Sequence, residues 1–258
     1  MNSIQRLIII GSGNVATHMA MAFKKAGLDI CGIYSRTFEN AQILAKKLNI
    51  NAFKSVVEIP LDADAYLLSV SDSALPEILK ELPSFDGILM HTSGSVGLDV
   101  FSKNIKRSAV FYPLQTFSKD KQLDYSTVPI LLESEDAAVL NALQDLGKKI
   151  SETVRTIDSE QRKQLHLSAV FMCNFSNYMF HISESLLKEN DLDFELLKPL
   201  LGETIEKLNE LSPAEAQTGP AIRHDKRTLN AHIEMLKNHP EYQNIYQLLS
   251  DQIQKLKS

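Results

Sequence analysis

Residues 7–37, LIIIGSGNVATHMAMAFKKAGLDICGIYSRT, constrain the fold more than any other part of the chain. The apolar run 7–10 is cut by Gly11-Ser12-Gly13, a helix-like segment fills 14–26, and a second apolar run, 28–34, ends in Ser35-Arg36-Thr37. This order predicts a strand, a glycine turn, a helix and a second strand, the first half of a nucleotide-binding βαβ unit. Gly11 suits the sharp turn. Gly13 removes a side chain that would keep a pyrophosphate from the helix N-terminus. Ala16 occupies the third glycine position, where a small residue permits close helix–strand packing.

NAD-binding units of this kind usually carry an Asp or Glu about 20 residues beyond the glycines, to accept from the adenosine ribose hydroxyls. Here Tyr34-Ser35-Arg36-Thr37 stands there instead, with no carboxylate before Glu39. A guanidinium between two hydroxyls suits a 2′-phosphate, because Arg offers a planar fork to phosphate oxygens and stacks on adenine. Thr37 also serves as a helix N-cap, and a solvated Arg36 is compatible with that role. The local chemistry favours NADP(H) over NAD, and the missing carboxylate argues against S-adenosylmethionine. Gly11, Ser12, Gly13, Asn14 and Val15 are the expected pyrophosphate cradle, Ser35, Arg36 and Thr37 the phosphate clamp, and Val70, Ser71 and His91 further cofactor contacts.

Strand and helix patterns alternate through the first 150 or so residues, as in a parallel sheet. Strands are expected at 65–70, 87–91, 108–112, 128–132 and near Val154, with helices from Thr37 to Leu48 and at 74–82 and 136–146. Asp72 reads as a helix cap. Beyond Asp158 the pattern turns helical: a long stretch 161–188, a second behind Asp193, the loop SPAEAQTGP, and two final helices. The reading is an α/β fold, with a doubly wound, mostly parallel Rossmann sheet over 1–155 and an all-α domain over 156–258. The crevice between them is the default substrate site.

The net charge of −5 and the scattered Lys and Arg leave no electrostatic footprint for nucleic acid. No apolar run reaches the ~20 residues that span a bilayer, and the N-terminus lacks a signal-peptide pattern. Cys31 and Cys173 read as buried thiols in a reducing compartment, so a cytoplasmic protein is expected. Seven histidines without a Cys/His/Asp cluster point to no dedicated metal site.

Residues just past parallel strand ends are candidates for chemistry. His91-Thr92-Ser93-Gly94-Ser95 and Tyr112-Pro113-Leu114-Gln115-Thr116 are two such ends. His91 follows an apolar strand at the edge where a nicotinamide would arrive, and Ser93 and Gln115 are candidate substrate contacts, although Ser93-Gly94-Ser95 also reads as a simple turn. On the long helix, His166, Asn174, Asn177 and His181 interrupt apolar residues. At about 100° per residue, His166, Cys173 and Asn177 lie near one line. Interhelical hydrogen bonds account for such residues, Asn177 and His181 above all. His166 and Asn174 suit an acid/base and a carbonyl holder. Arg223, read as lying in the first turns of a helix after Gly219-Pro220, either grips a substrate carboxylate or pairs with Asp225 at the surface.

Taken together, IIIGSGNVA, SRT, HTSG, YPLQTF, HLSAVFMCNFSN and QTGPAIRHD resemble a bacterial family that joins an NADP-binding Rossmann-like domain to a helical C-terminal domain of unknown function. More distantly the chain is similar to pyrroline-5-carboxylate reductases, deazaflavin-dependent NADP reductases and β-hydroxyacid dehydrogenases. The resemblance implies hydride transfer with a nicotinamide cofactor. It also implies a homodimer through the helical domain, one subunit helping to complete the other's cleft. In the β-hydroxyacid dehydrogenases a K-x-x-x-N pattern marks the long helix; with Asn174 as its asparagine, position 170 is Val, and His166, one turn upstream, stands in as proton handler. The expected function is an NADP(H)-dependent oxidoreductase acting on a small, carboxylate-bearing carbonyl or imine. The alternative is a non-catalytic NADP(H)-binding module that senses redox state through a partner.

Overall fold

The computed structural model describes residues 3–103, 105–119, 121 and 123–257. Eight strands form one sheet: β1 (Arg6–Ile10), β2 (Asp29–Tyr34), β3 (Asn51–Phe53), β4 (Ala65–Leu68), β5 (Ile88–His91), β6 (Ser108–Pro113), β7 (Ile130–Glu133) and β8 (Val154–Thr156). Their spatial order is β3-β2-β1-β4-β5-β6-β7-β8. Pairing is parallel from β3 to β6; β7 then runs antiparallel to β6, and β8 parallel to β7. The order reverses between β1 and β4, the switch point where a doubly wound sheet opens a crevice.

Continuous apolar runs make sense because both faces of the sheet are covered. Leu7 and Ile9 of β1 join one core with Leu67, Met90 and Phe111, while Ile8 and Ile10 join the other with Tyr66, Leu68 and Leu89. Helices α1 (Asn14–Lys25), α2 (Phe38–Leu48) and α4 (Ala137–Lys148) pack on the first face. The short α3 (Leu75–Glu81) packs on the second. Ala16, Met19, Ala20 and Phe23 of α1 are all buried, a complete helical stripe, and Phe23 meets Phe111 edge-on with centroids 5.7 Å apart.

Strand β8 leads into α5 (Ser159–Ala169), started by a capping box in which Asp158 and Gln161 each accept from the other's backbone amide. The long helix expected over 161–188 is not uniform. Residues Val170–Phe175 form a π turn before α6 (Ser176–Lys188) begins. The extra residue in that turn shifts the helical phase, so His166, Cys173 and Asn177 do not keep the single line that a constant pitch predicts.

The chain divides into two compact units at Cys173/Asn174, inside this turn. The second unit contains α6, α7 (Lys198–Glu206), α8 (Lys226–Met235) and α9 (Pro240–Gln254). Both cysteines are free and only half-buried, less enclosed than their apolar neighbours suggest. Among the described residues, no helix is long and apolar enough to cross a membrane.

Candidate functional site

The first site is built where the chain leaves β1. Gly11 has φ +123°, and a Cβ there would collide with the Ser69 carbonyl oxygen after β4, so both conformation and space require glycine. The turn is pinned from both sides: the Gly11 amide donates to Tyr34 O at 2.7 Å, and the Ser69 amide donates to Ile10 O at 2.7 Å. Gly13 faces open space, and no side chain caps the N-terminus of α1. The first amides of that helix are therefore free to meet an anion. Ser12 Oγ donates to Ser35 Oγ at 2.8 Å, tying the turn to the end of β2.

A cavity of about 300 Å³ opens there. Gly11, Ser12, Gly13, Ser35, Arg36, Thr37, Val70 and Ser71 all line it, so eight expected cofactor contacts meet at one place. Thr37 takes the N-cap position of α2 without a side-chain hydrogen bond. Asn14, Val15 and His91 are not among the lining residues. Asn14 Nδ2 donates to Phe117 O at 2.8 Å, and Val15 packs partly into the core. Two carboxylates from α3, Glu77 and Glu81, line the same cavity. Burial, with Glu81 adding to it, pushes the Tyr34 hydroxyl above its ordinary value. These two residues lie far from the second strand in sequence, which hides them from a search limited to its end.

The second group joins the loop after β5, the end of β6 and helix α5, on the carboxyl edge of the same parallel strands. Tyr112 Oη and His166 Nδ1 are 3.0 Å apart. Gly94 packs beneath them: a Cβ there would stand 2.7 Å from His166 Nδ1 and 2.9 Å from Tyr112 Cζ. Burial holds the Tyr112 phenol above its ordinary value, so it keeps its proton at neutral pH. Ser93 is buried, and its Oγ accepts from the amides of Ser95 and Val96, which makes it the brace of this loop. Asp72, expected to cap α3, instead accepts a hydrogen bond from Ser95 Oγ; the N-cap of α3 is Ala74, with no side-chain bond. Gln115 is exposed, its Oε1 accepting from the Thr116 amide.

Sequence reading missed Arg162, which is completely buried and one helical turn before His166. Its guanidinium pairs with Glu133 of β7 and donates to Val96 O, while Ser159 Oγ donates to Glu133 at 2.8 Å. The pair ties α5 to the sheet and to the loop carrying Gly94. A lone Arg among polar helix residues gives no periodic signal, because its partner lies on a distant strand.

His91 is fully buried, stacked on Phe101 with centroids 5.5 Å apart. Its Nδ1 accepts from the Ser93 amide at 3.1 Å, and its Nε2 has no partner among the described residues. Asn174 is exposed and opens the second unit. Arg223 is also exposed, but it lies ahead of α8, which starts at Lys226 behind the cap Asp225, so no first-turn dipole acts on it.

Burial, with the Arg162 charge adding to it, lowers His91 from 6.5 to about 4. The unfolded state therefore binds a proton that the folded state refuses between these values, and stability falls as pH drops through that window. Lowering pH from 7 to 5 should cost about 2 kcal/mol through this group alone. Urea midpoints for wild type and His91→Phe should diverge accordingly, and parallel pH profiles would contradict the assignment. Arg162→Met should destabilise by about 2–4 kcal/mol, because it leaves the half-buried Glu133 without its counter-charge. Adding Glu133→Leu should recover much of that loss in the same measurement.

No curated protein matches the chain. Residues 6–90 match the family model described as NADP oxidoreductase, coenzyme F420-dependent, and residues 128–253 match a domain of unknown function, DUF2520. Among solved structures, a Bacteroides fragilis protein provisionally described as an NADP oxidoreductase is 38% identical over 98% of both chains, with a TM-score of 0.93. A Thermotoga maritima protein is 21% identical over 97% of both chains, TM-score 0.72. An imine reductase from Myxococcus stipitatus, solved with NADP+, shares the fold at 15% identity, covering 98% of this chain and 93% of its own, TM-score 0.65. The chain thus belongs to the family of the Bacteroides fragilis protein, in which an NADP oxidoreductase-type nucleotide-binding domain is followed by DUF2520.

Proposed function

We propose that the protein is an NADP(H)-dependent oxidoreductase that moves a hydride to or from a small, carboxylate-bearing carbonyl or imine. The observation that supports this most directly is the Tyr112–His166 pair over Gly94, on the edge that also carries the glycine turn. The cradle suits the cofactor: the collision at Gly11, the open space at Gly13 and the uncapped helix together accept a diphosphate. Ser35, Arg36 and Thr37 would hold the 2′-phosphate, Arg36 by charge-assisted hydrogen bonds. When bound, the nicotinamide supplies or accepts the hydride.

The chain's own part is the proton. His166 gives or takes it, and the Tyr112 hydroxyl serves the far nitrogen in both states, because a phenol both donates and accepts. Arg162 holds the helix so that this nitrogen stays over Gly94. Asn174 is the amide proposed to hold the carbonyl, and Arg223 the guanidinium proposed for the carboxylate. Val170, where β-hydroxyacid dehydrogenases carry lysine, favours the second reading, a redox-sensing module acting through a partner.

Half-buried free thiols suit a cytoplasmic setting. Large exposed apolar side chains support a homodimer through the helices, with Leu167 at 51% and Met172 at 72% on the first unit, and Leu196 at 67% and Leu200 at 63% on the second.

NADPH oxidation measured against a panel of small keto acids and cyclic imines tests the enzyme reading. His166→Ala should lower kcat by about 10²–10⁴-fold while leaving NADPH affinity intact; tight cofactor binding with no oxidation across the panel selects the sensor. Arg36→Asp should weaken NADPH binding by about ten- to a hundredfold and raise the relative preference for NADH. Sedimentation equilibrium should give twice the chain mass, and Met172→Glu with Leu196→Glu should shift it towards the monomer.

A further inference from the structure

A second and larger cavity, of about 950 Å³, lies elsewhere on the sheet-bearing unit and shares no lining residue with the cofactor cavity. Lys24, Lys25, Lys47, Lys119, Lys121 and Lys149 line it. Among its described lining residues the single carboxylate is Asp124, already committed to the Ser126 amide and hydroxyl.

Ordinary helix chemistry explains part of this. Lys24 and Lys25 end α1, Lys47 ends α2 and Lys149 is the C-cap of α4, positions where cations offset the negative pole of a helix. Two of these ammoniums are engaged locally, Lys24 donating to Leu48 O and Lys149 to Ile4 O. Helix ends do not explain Lys119 and Lys121, which come from the loop between β6 and β7. Nor do they explain why three helix ends and this loop converge on one concavity rather than spreading over the surface. Like charges gathered around one concavity raise the local positive potential, which favours the approach of an anion.

The remaining lining narrows the ligand. Met21, Leu48, Leu123 and Ile150 give the cavity an apolar wall, and the volume falls within the range of small-molecule sites. Tyr125 leaves a buried hydroxyl without a partner in the same place. Among the described lining residues there is no arginine, so the fixed positive charges facing the cavity are all lysine ammoniums. Ammoniums bind phosphate as point charges, and several of them around one cavity suit a ligand that carries more than one phosphate charge.

We infer that this cavity binds a small organic molecule carrying at least two phosphate charges, at a site separate from the nicotinamide cofactor. The inference does not rest on the oxidoreductase reading. The loop over the cavity also touches the cofactor helix: Asn14 donates to Phe117 O, and His18 Nε2 donates to Ser118 O at 2.8 Å.

Inorganic pyrophosphate is the probe, titrated calorimetrically into the full-length protein with and without saturating NADPH, which separates this site from the glycine turn. Binding that survives NADPH is expected. Lys25→Glu combined with Lys121→Glu should weaken that binding at least tenfold. Both side chains are exposed, so the fold and NADPH affinity should be unaffected. Lys46→Glu reverses a neighbouring charge on α2 outside the cavity and should change affinity less than twofold. The inference fails if pyrophosphate does not bind the NADPH-saturated protein, if Lys46→Glu weakens it as much as the cavity variants, or if a ten-nucleotide single strand binds where pyrophosphate does not.

Discussion

The contact on which the rest of the molecule depends is the close approach of Gly11 to the backbone of Ser69. Two central strands end side by side there, and the chain must turn between them without a side chain. The bonds from Gly11 to Tyr34 O and from Ser69 to Ile10 O fix three strand ends at once. Because that place is also the point where strand order reverses, the same constraint opens the crevice and aims α1 into it. The helix amides left bare by Gly13 follow from this geometry, as does the clustering of Ser12, Ser35 and Ser71 around one cavity.

A second constraint is electrostatic. Arg162 has been taken entirely out of water, a placement tolerated only because Glu133, Ser159 and the Val96 carbonyl surround it. Such a pair contributes little net stability compared with apolar packing, but it fixes a register. Here the register is that of α5 against the β5 loop, and its visible result is a histidine and a tyrosine meeting over a glycine. His91 sits in the same neighbourhood under a different regime. Desolvation keeps it neutral, so it acts as a packed polar core residue with one nitrogen satisfied.

Much of this was legible in the sequence. Alternating apolar runs placed seven of the eight strands to within about two residues, β3 having no expected counterpart, and the glycine turn with the ends of β2 and β4 named eight of the residues that line the first cavity. What sequence could not carry was anything fixed by distant partners. Asp72 looked like a cap because it precedes a helix, yet it is claimed by Ser95 from the next loop. Arg162 gave no signal, since its value depends on a glutamate 29 residues earlier. The π turn at Val170–Phe175 escaped because apolar periodicity counts residues per turn and assumes that number constant. Arg223 was misplaced by a few residues, since Asp225 rather than Pro220 starts the helix.

The two borders of the sheet have a consequence for how copies of this chain can meet. Both outermost strands, β3 and β8, are only three residues long. A strand that brief offers few open amides and carbonyls to a neighbour, which discourages another molecule from lengthening the ladder with its own edge. Backbone pairing is thus disfavoured at either flank of the sheet, which leaves side-chain surfaces as the better route for copies to meet.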